Sequence, residues 1–123
     1  MINQSRGIFR IGTSGIVTPG TKESFPNEFK LSSRLNYYGS LFNTLEVNST
    51  FHKIPRPSTF EKWLPDVPTD FQFTLKVWRE ITHVKQLNID LENIDVFFSA
   101  ANHIANKKGC LLVQFPGSIT AEF

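Results

Sequence analysis

Six polar side chains in this 123-residue sequence have the types and spacing needed for chemistry on a small molecule. They are Ser14, Glu46, Asn48, Lys76, His83 and Gln114. A lysine beside a carboxylate can orient a substrate, act as a base or form an imine with a carbonyl. An imidazole changes charge near neutral pH and can therefore act as a general acid or base. We predict catalytic roles for Glu46, Lys76 and His83, and substrate contacts for the other three.

Each of these predictions has a structural alternative. Glu46 and Lys76 could form a buried ion pair that only holds the interior together. Asn48 and Gln114 could belong to a polar network without touching a ligand, and His83 could cap a loop. Residue type alone does not separate these alternatives.

Two weaker patterns concern anions and metals. The stretch Gly12–Gly15 could hold an anion on its backbone amides, but it lacks the spacing of a dinucleotide site and the lysine of a P-loop. His52 could join His83 and Glu46 around a metal ion, but no local spacing matches a zinc signature, so we predict no metal site. The sequence leaves any cofactor unknown. Phe51 lies near the same residues and could stack on a ligand, although core packing is favoured.

Alternating strand and helix patterns must position these residues. Period-two alternation predicts four strands, at Phe9–Ser14, around Leu45 and Val47, at Phe71–Val77 and at Leu111–Phe115. Helical spacing predicts helices from Leu31 to Asn43 and from Glu92 to Ala105, and Gly109 suits the exit from the second helix. A capping-box pattern at Ser58–Glu61 predicts the start of a short helix that runs to Leu64. Strands separated by helices favour parallel pairing with right-handed crossovers.

The predicted strands are apolar on one face and polar on the other. The apolar face carries Phe9, Ile11, Leu45, Val47, Phe71, Phe73, Leu75, Val77, Leu111 and Val113, which we expect to pack under helices. The polar face includes Ser14, Glu46, Lys76 and Gln114. Doubly wound parallel sheets are usually apolar on both faces. The polar face therefore favours a barrel wall that lines a site at the carboxyl ends of the strands.

Composition limits the class of protein. Hydrophobic residues make up 40% of the chain, which supports a folded core, and the net charge of +2 is too small to favour nucleic acid as a partner. The longest apolar run is too short for a membrane span, and the first residues lack the apolar stretch of a signal peptide, so a cytoplasmic protein is predicted. The single cysteine, Cys110, excludes an intrachain disulfide and is interpreted as a buried structural thiol.

The chain resembles the YecE-like family, a domain-of-unknown-function family numbered 72 with a TIM-barrel-like fold. The stretches that carry the resemblance are Ile11–Gly15, Tyr37–Tyr38, Phe42–Phe51, Phe71–Lys76, Ile81–His83 and Gly109–Pro116. The resemblance implies a barrel and places Glu46, Asn48, Lys76, His83 and Gln114 in a recurrent polar cluster. It implies no particular reaction. Ile16 stands where family members usually have an aromatic residue, and His52 where they usually have tyrosine.

Four strands are half of the eight that a TIM barrel needs over about 250 residues. We therefore predict an α/β chain in which residues 1–123 form a single partial domain, the N-terminal half of a TIM-barrel-like fold. Unpaired sheet edges favour self-association, and two halves could close a barrel-like dimer. The favoured function is part of an enzyme acting on a small polar or phosphorylated substrate. The alternatives are a binding module without chemistry, for a ligand or less readily for nucleic acid, and an inactive truncated fragment.

Overall fold

The computed structural model describes residues 7–122 and consists of short helices alternating with parallel strands. The elements are α1 (Arg34–Leu41), β1 (Thr44–Val47), α2 (Ser49–His52), α3 (Pro57–Trp63), β2 (Gln72–Lys76), α4 (Arg79–Thr82), α5 (Leu91–Ala101) and β3 (Lys108–Leu112). Single 3-10 turns lie at Lys22–Ser24, Asn27–Phe29, Lys85–Leu87 and Asn102–Lys107.

The three strands form one parallel sheet in the order β1-β2-β3. Val47 lies opposite Leu75, and Leu75 lies opposite Leu111. Helices connect each strand to the next, as parallel neighbours require. This order confirms the predicted α/β class.

The hydrophobic core lies on one face of the sheet, beneath the helices. Its largest fully buried aromatic side chains are Tyr38, Phe60, Phe71, Phe73 and Phe97. Removing such a side chain from water stabilises the fold by about 1.5–3 kcal/mol. The other face of the sheet carries the polar residues. Glu46 on β1 and Thr74 on β2 are register partners, and each alternates along its strand with buried neighbours. The predicted division into an apolar and a polar face is confirmed for β1 and β2.

The predicted first strand, Phe9–Ser14, is not a regular strand. Only Ser14 forms a parallel bridge, with Glu46. Before Ser14, the side chain of Asn43 makes the backbone hydrogen bonds that a neighbouring strand would otherwise make. Asn43 Nδ2 donates to the Phe9 carbonyl at 2.9 Å, and the Ile11 amide donates to Asn43 Oδ1 at 2.8 Å. Phe9 is 81% exposed and Ile11 55% exposed, so the prediction that they pack under helices is wrong.

The last strand begins earlier than predicted, at Lys108 rather than Leu111. After α5 the chain turns through a 3-10 segment in which Ala105 has a φ of 56°, which ends the helical path before Gly109. Gly109 lies inside β3, where a Cβ would come within 3.1 Å of the Phe73 carbonyl oxygen. Val113 lies beyond the strand and is exposed, and Cys110 is exposed rather than buried.

Two helix starts also differ from the prediction. Helix α1 begins at Arg34, where the Ser33 side chain accepts a hydrogen bond from the Asn36 amide, and Leu31 is fully exposed. Helix α3 begins with Pro57 in its first turn, and its N-cap residue makes no side-chain cap bond, so the predicted capping box at Ser58 is wrong. Proline is well suited to a first helical position, since it lacks an amide proton that would otherwise be unpaired there.

Candidate functional site

The first group of predicted site residues forms a hydrogen-bonded chain, called here the Glu46 network (Ser14, Glu46 and Asn48). Ser14 Oγ donates to Glu46 Oε1 at 3.0 Å, and Asn48 Nδ2 donates to Ser14 Oγ at 2.6 Å. Glu46 and Asn48 are half-buried, and Ser14 is exposed. No residue in the described range donates to Glu46 Oε2, so this oxygen is available to accept a hydrogen bond or a proton from a bound molecule.

Local geometry brings Ser14 to Glu46. The Glu46 amide donates to the Thr13 carbonyl at 3.1 Å, and the Gly15 amide donates to the Glu46 carbonyl at 2.9 Å. The Tyr38 hydroxyl from α1 accepts from the Thr13 amide at 2.7 Å and donates to the Thr44 carbonyl at 3.0 Å. The loop that carries Ser14 is therefore fixed to both α1 and β1.

The second group is called the Lys76 group (Phe51, Lys76, Thr82 and His83). Lys76 Nζ lies 4.6 Å from the centre of the Phe51 ring, at a distance typical of a cation–π contact. The His83 ring meets the Phe51 ring edge-on, with 4.9 Å between ring centres. His83 Nδ1 lies 2.8 Å from the hydroxyl of Thr82, which is 1% exposed. A buried hydroxyl thus orients an exposed imidazole, whose Nε2 faces away from this contact.

The two groups lie side by side at the carboxyl ends of β1 and β2. The last register pair, Val47 with Leu75, is followed directly by Asn48 on one strand and Lys76 on the other. The buried ion pair between Glu46 and Lys76, the structural alternative to a catalytic role, does not form. The charged contacts within residues 7–122 are Arg79–Glu80 and the His103–Glu61 contact, which is an ion pair when His103 is protonated. Lys76 is held by Phe51 instead, which leaves its charge without a carboxylate partner.

Sequence reasoning did not identify Thr50, although this residue joins the two groups. Thr50 is fully buried, and its Oγ1 lies 2.7 Å from the Lys76 carbonyl and 3.1 Å from the Val47 carbonyl. The sequence signal for this role is that Thr50 follows two polar residues in a stretch bounded by the apolar Val47 and Phe51.

Gln114 and His52 lie outside both groups. Gln114 follows β3 by two residues and is exposed, and its side chain makes no hydrogen bond within the described residues. His52 is exposed, and its ring lies nearly perpendicular to the Phe51 ring, with 5.0 Å between ring centres. In the part of the chain from 7 to 122, no cluster of three histidine, cysteine, aspartate or glutamate residues is placed to hold a metal ion.

The Gly12–Gly15 stretch offers at most two of its four backbone amides to an anion. The amides of Thr13 and Gly15 are bonded to Tyr38 and Glu46, so two of the four donors are already occupied. On the polar face beside this stretch lies an open depression of about 290 Å³, lined by Arg10, Ser14, Glu46 and Thr74 among others. A carboxylate and two hydroxyls on its wall suit hydrogen bonding to a polar ligand.

A family model described as "Protein of unknown function DUF72" matches residues 10–122. The chain belongs to the DUF72 family. Since DUF72 is the family of domain of unknown function numbered 72, the predicted resemblance is confirmed.

Two curated DUF72 relatives are similar to part of the chain. UPF0759 protein YunF of Bacillus subtilis is 27% identical over 99 residues, which is 75% of this chain and 35% of that protein. UPF0759 protein YecE of Escherichia coli K12 is 26% identical over 84 residues, which is 68% of this chain and 31% of that protein. The chain thus matches about a third of the length of each.

Solved structures of a DUF72 family protein from Enterococcus faecalis V583 have the same fold over the matched region. One matches with a TM-score of 0.64 at 26% identity, over 73% of this chain and 36% of that chain. Another matches with a TM-score of 0.63 at 25% identity, over 76% of this chain and 40% of that chain. The chain is therefore part of a TIM-barrel-like α/β fold, as predicted. No helix among residues 7–122 has the length and apolar character needed to cross a membrane.

Proposed function

We propose that the carboxyl-end cluster, made of the Glu46 network and the Lys76 group, is part of an enzyme site that acts on a small polar or phosphorylated molecule. Glu46 acts as a general base or hydrogen-bond acceptor, Lys76 binds the anionic part of the substrate, and His83 transfers a proton. Ser14 and Asn48 orient the substrate. Gln114, which lies outside both groups and follows β3 by two residues, contacts the substrate from the neighbouring strand end.

The arrangement that carries this proposal is the pairing of an accepting carboxylate with an unpaired ammonium at adjacent strand ends. The network directs one oxygen of Glu46 toward Ser14 and leaves the other unbonded by described residues. Lys76 contacts an aromatic face rather than a carboxylate, so its charge is not neutralised by a neighbouring side chain. Carboxyl ends of parallel barrel strands are where such sites occur.

His83 supports a proton-transfer role through its orientation. The Thr82 hydroxyl fixes Nδ1 and the Phe51 ring packs against one edge, so Nε2 is the nitrogen that can exchange a proton with a ligand. An imidazole oriented by a hydrogen bond at one nitrogen, with the other nitrogen open to a ligand, is the usual arrangement of a general acid or base.

Titration of the 123-residue chain with inorganic phosphate and with glycerol 3-phosphate tests the proposal. Amide shifts in ¹H–¹⁵N spectra are expected at residues 14, 46, 48, 76 and 83, with a dissociation constant on the order of 1 mM. Lys76→Met should weaken binding of both compounds about tenfold, because a charge-assisted contact is lost. Lys62→Met is the matched control, since Lys62 is exposed on α3, away from the strand ends.

A second variant distinguishes the contribution of the Glu46 carboxylate to binding from that of the Lys76 ammonium. Glu46→Gln should weaken glycerol 3-phosphate, whose hydroxyls donate to the carboxylate, and leave inorganic phosphate unchanged or tighter. The proposal is wrong if neither compound shifts the named amides, or if Lys62→Met weakens binding as much as Lys76→Met does. Binding that follows these expectations while ³¹P NMR shows no chemical conversion of glycerol 3-phosphate would favour a binding module without chemistry.

A further inference from the structure

A second cavity lies on the opposite, helix-covered side of the sheet from the polar depression. Its volume is about 300 Å³, and its walls come from α1, β1, α3 and β2. Leu35, Leu45, Val47 and Phe73 each have less than a tenth of their surface exposed. Interiors of proteins rarely leave gaps larger than a water molecule, so a space of this size with apolar walls is a feature to be explained.

Aromatic packing holds one wall of the cavity in place. The Trp63 ring stacks against Phe73 at 5.7 Å between centres with an angle of 30°, and meets Phe60 edge-on at 5.2 Å. Phe60 and Phe73 are almost completely buried, so Trp63 is fixed on two sides. The wall is therefore formed before any ligand arrives, which reduces the entropy lost on binding.

The mouth of the cavity is at the same edge of the sheet as the Glu46 network. Gly15, Ile16, Asn48 and Ser49 line the cavity there, and the exposed Ile16 and Ser49 mark its rim. The Gly15 amide is bonded to the Glu46 carbonyl, so this rim is anchored to β1. Ile16 is 37% exposed and lies between the cavity and solvent.

We propose that this cavity binds a bicyclic aromatic ring of about the size of indole. Size and polarity together lead to this class: an apolar cavity of about 150 Å³ is enough to bind benzene. The present cavity has about twice that volume. The flat Trp63 ring favours a planar aromatic ligand, since offset stacking adds to the burial of apolar surface. The polar rim at Asn48 and Ser49 can accept a nitrogen or hydroxyl substituent at the open end.

The inference does not rest on the proposed phosphate-binding role, and the two can fail separately. Most of the cavity lining lies on the helix-covered side of β1. Glu46 also contributes to the wall, whereas Lys76 does not. Lys76→Met should leave binding to this cavity unchanged.

Titration of the 123-residue chain with indole tests the proposal, followed by saturation-transfer NMR and calorimetry. We expect a dissociation constant on the order of 1 mM or tighter, given the small size of the ligand. Ile16→Trp should fill the mouth and weaken indole binding at least about tenfold. Val17→Trp is the matched control, because Val17 is exposed, adjacent in sequence and not part of the cavity wall. It should bind indole like the unchanged chain.

Intermolecular NOEs in the unchanged chain provide a readout that needs no variant. Indole protons should show contacts to the methyl groups of Leu35, Leu45 and Val47. The proposal is overturned if no such contacts appear at saturating indole, or if a folded Ile16→Trp chain binds indole as tightly as Val17→Trp. Inorganic phosphate added to the same samples shows whether each variant keeps the other site intact.

Discussion

Buried hydroxyls of Thr50 and Thr82 set the positions of the reactive side chains around them. Each is at most 1% exposed, and each lies next in sequence to an aromatic ring of the Lys76 group, Phe51 or His83. Thr50 bonds the backbone at the end of β2, and Thr82 bonds the imidazole. A buried polar group that loses its partner costs more than the bond itself contributed. These two hydroxyls are thus parts of the site although neither is expected to touch the substrate.

Thr50→Val tests this positioning role. Valine keeps the shape of threonine but removes the donor that lies 2.7 Å from the Lys76 carbonyl, which leaves that carbonyl without this partner. The free energy of unfolding is expected to fall by about 1–3 kcal/mol in urea denaturation. Thr69→Val, at an exposed position, should change it by less than about 0.5 kcal/mol. Equal stability of the two variants would show that the Thr50 hydroxyl does not hold the end of β2.

The sequence predicts which side chains share one face of a strand, but it does not predict contacts made by side chains from the connecting turns. Alternation along β1 predicts that Glu46 and Asn48 share a face, and the Ser14 loop joins them as expected. Positions on neighbouring strands leave open whether Glu46 and Lys76 form an ion pair. They do not, and Phe51, from the turn after β1, meets the ammonium at 4.6 Å instead. No periodicity encodes the direction in which a single-turn helix such as α2 presents its ring.

At the scale of elements, helices α1 and α5 and the central strands follow from sequence periodicity, while the single-turn helices α2 and α4 and the first segment do not. Apolar alternation at Phe9 and Ile11 matches a strand, yet the Asn43 side chain satisfies their backbone groups. A hydrophobicity pattern does not indicate that a side chain, rather than a neighbouring strand, forms hydrogen bonds with the backbone of a segment. The ladder therefore starts only where Thr13 and Gly15 meet Glu46, and those bonds carry Ser14 into the network.

Gly12→Ala should detach this first segment from the sheet. A Cβ at residue 12 would overlap the backbone carbonyl of Thr44, so the segment or β1 has to move. We expect stability to fall by about 1–3 kcal/mol, as for other overpacked sites. The Glu46 amide, which donates to the Thr13 carbonyl, should exchange with solvent faster.

Gly117→Ala is the control for this substitution, because an added Cβ there meets nothing within 4 Å. Urea denaturation should give the same stability for this variant as for the unchanged chain, within about 0.5 kcal/mol. If Glu46 exchange were as slow in Gly12→Ala as in Gly117→Ala, the close approach of residue 12 to β1 would not be what fixes Ser14.

At the scale of the whole molecule, both edges of the sheet present apolar residues that the described chain leaves exposed. One edge has Phe9 and Ile11, and the other edge has Val113 and Phe115, each more than 40% exposed. At both edges these side chains belong to the helix-covered face of the sheet. Thr13 contacts Tyr38 on the helix side, so alternation directs residues 9 and 11 to that side. Leu111 lies opposite the buried Leu75, which directs residues 113 and 115 to the same side.

A second copy of the chain can therefore continue the sheet with its apolar residues on the helix side and its polar residues on the other. The segment after β3 of one copy would run parallel to the Phe9–Ser14 segment of its partner, and the same contact would repeat by two-fold symmetry. This pairing would extend the polar face that carries Glu46 and Lys76. It is the arrangement that the sequence predicts for a self-associating half-barrel.

Light scattering behind size-exclusion chromatography is the measurement for this prediction. We expect a defined species at twice the 14.0 kDa mass of the chain. Val113→Lys should shift it toward monomer, because a charge at the pairing edge must lose its water to form the contact. Leu31→Lys is the control: Leu31 is fully exposed but lies before α1, away from both edges, so the mass should stay that of the dimer. A monodisperse monomer that unfolds cooperatively would show that the edges do not pair, because apolar edges left in water would then cost too little to drive association.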